Sequence, residues 1–191
     1  MPIIREKKQL MSASEIDRTL VRLAHEVLEK TGDLGKLAFI GIRRRGAPLA
    51  QRLGAKIESL ANLKVPVGIL DIAWYRDDLS TIAERPVLHS KQIDFEVTGK
   101  DVVLVDDVLY TGRTIRAALD ALFEHGRPAR VQLLVLIDRG HRELPIEARY
   151  VGRALQTSRR EIIEVKLQEV DGQERVLLVE RVDEPGGTEA A

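Results

Sequence analysis

The chain has 191 residues, 44% hydrophobic and 31% charged, an ordinary globular balance that excludes wholesale disorder and suits one domain with a substantial core. It has no cysteine, which excludes disulfides, cysteine-ligated metals and thiol nucleophiles and agrees with a reducing cytosol. Lysine plus arginine equals aspartate plus glutamate at 30 each, so bulk charge does not announce nucleic acid, and any such surface has to come from local clustering.

The opening MPIIREKKQL lacks the apolar core of a signal peptide, and no later run approaches a membrane span, so a soluble cytoplasmic protein is expected. No internal repeat or low-complexity tract is visible; residues 1–182 read as one domain and 183–191, ending EPGGTEAA, as a disordered tail. Ser12 to Glu15 has the capping-box form. Ile16, Leu20, Leu23, Ala24, Val27 and Leu28 follow at helical spacing, to a stop at Gly32. Arg18, Arg22 and His25 share another side of that helix, and on spacing alone they read as a solvated face.

Leu37 to Ile42 is a short apolar run ending in GIRRRG, and the helix after it has Pro48 in its first turn and Leu49, Leu53, Ile57 and Leu60 along one face. Strand, basic glycine-bearing loop and helix form an α/β crossover; the three arginines suit phosphate or a solvated loop equally. Val65 to Tyr75 alternates like a strand. From Arg76 to about Asp94 the pattern fails, and a loop that long is read as a flap over a site, with a short hairpin as the alternative.

Asp101 to Leu122 reads DVVLVDDVLYTGRTIRAALDAL: an apolar run fit for a buried parallel strand, the acids Asp106 and Asp107, a short turn, and an amphipathic helix reaching to Gly126 that buries Ile115, Ala118, Leu119 and Leu122. Free N–H groups at a helix start favour an anion, so acids beside such a start suit a phosphorylated, hydroxyl-bearing ligand. Neighbouring strand residues point to opposite faces, so the two acids do not make one acid/base dyad in a regular strand. They suit sugar hydroxyls, a hydrated Mg²⁺, or simply solvent. Neither a Walker A loop nor a dinucleotide fingerprint occurs. Val131 to Ile137 is a third interior strand, ending in DRGHRELP. Three strands with polar carboxyl ends fit an open α/β sheet that binds its ligand along that edge. Ile162–Val170 and Val176–Val182 read as a hairpin about Asp171-Gly172-Gln173-Glu174, adding antiparallel strands to the mainly parallel sheet.

VVLVDDVLYTGRT, Val102 to Thr114, resembles the 5-phosphoribosyl-1-pyrophosphate (PRPP) motif of type I phosphoribosyltransferases. From about Ser12 to Leu178 the chain resembles the PyrR family of pyrimidine-operon attenuation regulators, which are also uracil phosphoribosyltransferases. GIRRRG, DIAWYRDDLS, VLIDRGHRELPIEARYVGR and TSRRE carry that resemblance. It implies a type I phosphoribosyltransferase fold, α/β with a mainly parallel sheet flanked by helices, a flexible hood and antiparallel C-terminal strands. It implies the reaction of uracil with PRPP to give UMP and pyrophosphate, with Mg²⁺ as cofactor. By position, Val102, Val103, Leu104, Val105, Asp106, Asp107, Val108, Leu109, Tyr110, Thr111, Gly112, Arg113 and Thr114 would bind PRPP. Thr111 to Thr114 would cradle its 5-phosphate, and Asp106 and Asp107 would take the ribose hydroxyls directly or through the metal. Arg44 and Arg45 would stand in the pyrophosphate loop, Arg45 acting in catalysis with the two aspartates. Tyr75, Arg76, Asp77 and Asp78 would begin the hood, and Arg139 and Ile163 would serve uracil and the nucleotide.

The resemblance also implies binding of a hairpin in pyrimidine-operon leader RNA when UMP or UTP is bound, and a homodimer or higher homo-oligomer without membrane association. Arg18, Arg22, His25, Arg149, Arg153, Arg159 and Arg160 would supply the basic RNA face. Two segments depart from the family: Arg44-Arg45-Gly46 stands where Thr-Arg-Gly is usual, and Ala154-Leu155-Gln156 where Asn-Ile-Pro is common. The competing readings are an RNA regulator with vestigial catalysis and a phosphoribosyltransferase for another base, such as a purine; DRGHRELPI argues against the latter.

Overall fold

A computed structural model describes residues 3–72 and 92–182. The expected hood residues Tyr75, Arg76, Asp77 and Asp78, most of the 76–94 flap and the tail 183–191 lie outside the described residues.

The elements run β1 (Ile3–Ser12), α1 (Ala13–Lys30), β2 (Leu37–Ile42), α2 (Gly46–Ala61), β3 (Val67–Leu70), β4 (Asp101–Leu109), α3 (Arg113–Phe123), β5 (Arg130–Asp138), β6 (Tyr150–Ala154), β7 (Glu161–Lys166), α4 (Gln168–Asp171) and β8 (Arg175–Val182), with a 3₁₀ turn at Leu34–Lys36. Ser12 caps α1 as expected: it accepts from the Glu15 N–H, and the Glu15 carboxylate takes the Ser12 N–H at 2.8 Å. Ile16, Leu20, Leu23, Ala24 and Val27 are the side of α1 that is buried.

Five strands form a parallel sheet in the order β3-β2-β4-β5-β6. Every residue of β2 is buried, as an interior strand covered on both faces requires. Side chains of β4 alternate between two cores: Val103 and Val105 join the one containing α1 and α2, while Val102 and Leu104 join the one containing α3. The chain runs from β2 to β3 on one side and resumes with β4 on the other, so the topological switch lies between β2 and β4, where an open α/β sheet leaves a crevice at its carboxyl edge.

The antiparallel part differs from expectation. It is a separate three-stranded sheet, β1-β8-β7, and its first strand has no signature in the sequence. Most of β1 is exposed, with Met11 the one buried residue among those described, so no apolar period marks it; pairing with β8 creates it. The strand expected over Ile162–Val170 stops at Lys166. Leu167 is fully buried and its carbonyl accepts the N–H groups of Val170 and Asp171, winding the next residues into α4, which Gly172 ends at φ 64°. The turn is therefore helical, not a tight hairpin. β3 is shorter than Val65–Tyr75, the edge strand β6 was not anticipated, and α3 stops at Phe123 rather than Gly126. Leu60 is 43% exposed, because burial along α2 ends at Ile57.

Candidate active site

Two glycines bring the basic loop to the switch point. A Cβ on Gly41 would lie 2.4 Å from the Gly46 carbonyl oxygen, and one on Gly46 would lie 2.3 Å from the carbonyl oxygen of Val105. Backbone therefore meets backbone across β2, the start of α2 and β4, and the Arg43–Arg45 turn sits beside the residue that precedes Asp106. Within that turn the Arg43–Arg44 peptide is cis. Arg43 reaches Asp71 Oδ2 at 2.9 Å and Gln92 Oε1 at 2.6 Å, Arg44 is exposed, and Arg45 is half-buried at the helix start.

The strand does not end at the acid pair: β4 continues to Leu109, so both acids lie within it. Asp106 is buried and Asp107 half-buried. Each carboxylate accepts the next backbone N–H, Asp106 from Asp107 and Asp107 from Val108, both at 2.9 Å. Gly112, in the left-handed region at φ 94°, precedes α3 with no side-chain cap. The first helical bond runs from the Arg116 N–H to the Gly112 carbonyl, so the Thr114 and Ile115 N–H groups have no intrahelical acceptor. Thr111 Oγ1 accepts from the Arg113 N–H at 3.3 Å, and the Arg113 side chain reaches Glu143 at 2.7 Å. The result is an uncapped helix start with hydroxyls beside it, at the end of the strand that carries the two acids.

The end of β5 lies next to β4, with Asp138 opposite Leu109. Arg139 follows it. The residue is 7% exposed; its guanidinium carbon lies over the Tyr110 ring, 3.8 Å from the centroid, and the group donates to Thr157 Oγ1 at 3.2 Å and to the Glu161 carbonyl. Arg142 clasps both Asp138 oxygens at 2.7 and 2.8 Å and donates to the Tyr110 carbonyl at 2.9 Å, fixing the loop beneath that ring. His141 bonds the Thr157 carbonyl at 2.6 Å. Ile163 is buried in the same core as Val105, on the β7 side.

The small sheet supplies a partner that sequence reasoning missed. Arg45 Nε and Nη2 lie 3.0 and 2.7 Å from the two oxygens of Asp171 on α4. This fork-to-fork pair holds the Asp171 carboxyl at about 2, below its ordinary value, and raises the Arg45 pKa, with Asp107 adding to the latter. Two turns along α2, Arg52 bonds Glu174 and Glu169 and its pKa is raised by both. Arg142 and Thr157 lie in the DRGHRELP and TSRRE segments but received no role there, and Asp171 was read only as a turn residue; Gly41 and Gly46 were legible as the ends of GIRRRG.

The residues expected to face RNA do not behave alike. Arg22 donates to the Val151 and Gly152 carbonyls at 3.2 and 2.6 Å and pairs with Glu26; Arg153 donates to the Leu10 carbonyl and lies 3.8 Å from Glu15. Those two tie α1, β1 and β6 together. Arg18, Arg22, His25, Arg149, Arg159 and Arg160 are exposed, and Arg153 is half-buried. Among the described residues no group of three or more His, Cys, Asp or Glu could hold a metal by itself, and no helix is long and apolar enough to cross a membrane.

The family model for the phosphoribosyl transferase domain matches residues 8–170. Among curated proteins, the bifunctional protein PyrR of Pelotomaculum thermopropionicum is 56% identical over 179 residues, 94% of this chain and 99% of that protein. PyrR of Thermus thermophilus is 54% identical over 178 residues, 93% of this chain and 98% of that protein. Among solved structures, a hypoxanthine phosphoribosyltransferase from Trypanosoma cruzi in complex with the product IMP superposes with a TM-score of 0.70 at 18% identity, covering 92% of this chain and 95% of that one. A hypoxanthine-guanine phosphoribosyltransferase from Bacillus anthracis gives a TM-score of 0.65 at 21% identity, covering 93% and 99%. At that identity these structures establish the fold, a type I phosphoribosyltransferase fold, and nothing about the base.

Proposed function

This chain belongs to the PyrR family of phosphoribosyltransferases, and we propose on that footing that it makes UMP and pyrophosphate from uracil and PRPP and, with UMP or UTP bound, binds pyrimidine-operon leader RNA. The observation that carries the enzymatic half is the acid pair Asp106-Asp107 followed directly by the uncapped start of α3, at the switch point of the sheet.

In this reading the Thr114 and Ile115 N–H groups and the hydroxyls of Thr111 and Thr114 receive the 5-phosphate. Asp106 and Asp107 take the ribose hydroxyls, and Arg44 and Arg45 the pyrophosphate. A ring nitrogen of uracil attacks the ribose carbon as its bond to pyrophosphate breaks, and the proton of that nitrogen passes to water or to the departing pyrophosphate. Positive character grows on the sugar and negative charge on the leaving group, so a preorganised Arg45 stabilises the transition state more than the ground state. Arg139, held over the Tyr110 ring and tied to Thr157 and β7, braces the wall of the base site. Catalysis is thus positioning and electrostatics, with no covalent intermediate on the protein and no residue assigned as general base.

Two carboxylates beside a phosphate cradle fit Mg²⁺, an ion usually held by one or two carboxylates together with substrate phosphates and water; Asp106 and Asp107 would hold it. When bound, the ion neutralises charge on the leaving pyrophosphate. A cytoplasmic homo-oligomer completes the proposal.

The test of the enzyme is product formation from PRPP and Mg²⁺ with uracil, hypoxanthine or guanine. UMP alone is expected; a purine nucleotide without UMP overturns the assignment. For the regulator, filter binding of a leader hairpin with and without UMP, across a salt series, is expected to give nucleotide-dependent, sequence-selective retention. Arg18, Arg22, His25, Arg149, Arg153, Arg159 and Arg160 are the residues through which that binding would run.

A further inference from the structure

We propose that Asp171, from the small antiparallel sheet, is a positioning residue for the pyrophosphate-loop arginine Arg45; the proposal rests on the role given to Arg45 above. The contact is bidentate, at 3.0 and 2.7 Å, and the two side chains are only 28% and 14% exposed. Asp171 is itself fixed. Its Oδ2 accepts the Leu167 N–H at 2.9 Å, its own N–H donates to the Leu167 carbonyl at 2.7 Å, and the Leu167 side chain is fully buried. Arg52 separately donates to both oxygens of Glu169 and of Glu174 and makes no bond to Asp171, so its contacts serve as a control for the Arg45 pair.

A guanidinium has five N–H donors in one plane. Asp171 takes the Nε edge and one donor of Nη2, which leaves both Nη1 donors and the second Nη2 donor for another anion. That remaining fork suits the adjacent oxygens of a diphosphate. Asp107 reinforces the charge on Arg45 from the β4 side, so the guanidinium lies in the field of an acid from each sheet. An arginine on a loop otherwise explores many rotamers; anchored at one edge by a rigid carboxylate, it loses less freedom when the substrate arrives. The antiparallel sheet thereby contributes to the site without a substrate contact of its own.

The experiment compares wild type with Asp171→Asn, Asp171→Glu, Arg45→Ala and the double variant Glu169→Gln/Glu174→Gln. It uses steady-state kinetics for PRPP and uracil and calorimetric titration with inorganic pyrophosphate. Asp171→Asn is expected to raise KM for PRPP by about tenfold and weaken pyrophosphate binding by the same factor, with KM for uracil within about twofold. Asp171→Glu should recover much of the loss, and Asp171→Asn should add little in an Arg45→Ala background. The Glu169/Glu174 variant removes the Arg52 contacts but keeps the Arg45–Asp171 bonds and the anchoring of Asp171 to Leu167, and should leave KM for PRPP within about twofold. If Arg45→Ala impairs PRPP use while Asp171→Asn does not, or if the Glu169/Glu174 variant reproduces the Asp171→Asn defect, the positioning role is overturned and the role of Arg45 stands. If Arg45→Ala itself leaves PRPP and pyrophosphate binding intact, the role of Arg45 falls and the proposal with it.

Discussion

At the carboxyl edge of the parallel sheet, polar groups are delivered by backbone geometry. Gly41 and Gly46 let α2 close against β4, and Gly112 turns the chain so that α3 begins with unclaimed N–H groups. In the antiparallel sheet they are delivered by long side chains meeting at a distance in sequence: Asp171 with Arg45, and Glu169 and Glu174 with Arg52. The first region is specified locally and tolerates little change in shape. The second is specified by charge pairing between elements more than a hundred residues apart, and tolerates changes in shape better than changes in charge.

Substitution of either site acid is the strongest way to set the two regions apart. Asp106→Asn or Asp107→Asn is expected to lower UMP formation by about 100- to 1000-fold, or about 3–4 kcal/mol of transition-state stabilisation, with little effect on the melting temperature. Gly46→Ala tests the backbone approach itself. Its new Cβ meets a carbonyl oxygen rather than a flexible side chain, and urea titration should register a loss of about 2–3 kcal/mol.

Ser12 joins the regions, as the last residue of β1 and the cap of α1. Ser12→Ala should cost about 1 kcal/mol in the same titration, without altering KM for either substrate. The smallest effect is that of acid on the Arg45–Asp171 pair. The folded Asp171 carboxyl sits at about 2, below its ordinary 3.8, so folding favours its charged form. The stability difference between wild type and Asp171→Asn should therefore be complete above about pH 4 and shrink as the pH falls toward 2. A difference that grows as the pH falls would contradict the pairing.

Much of the site edge was legible. The apolar runs at Leu37, Val102 and Val131 became interior strands, the Ser12 capping box formed, and the acid pair and glycine turn lie together as their spacing required. The hairpin expected about Asp171-Gly172 was half right. β7 and β8 do pair antiparallel, but the connection is a helical turn, because burial of Leu167 and the bond from Asp171 to its N–H outweigh the run of strand-forming residues. Arg22 and Arg153, expected on an RNA face, also reach backbone carbonyls of β6 and β1, contacts that their spacing in the sequence did not announce. Periodicity places a residue on a side of its helix or strand, and has no term for an open carbonyl that another element brings within reach.

The sequence by itself determined the parallel core and the anion-binding edge, because strand burial, helix capping and glycine turns are encoded within a few residues of one another. It also placed Asp106, Asp107 and the Thr111–Thr114 turn at one strand-to-helix junction, since they lie within nine residues of one another. Only the tertiary structure decided that β1, without an apolar pattern, is a strand, that the antiparallel strands form a sheet of their own, and that Arg45 is held by Asp171. Those outcomes depend on hydrogen bonds and charges between segments far apart in the chain. No local pattern records such a partner, because its energy appears only once both sheets have formed.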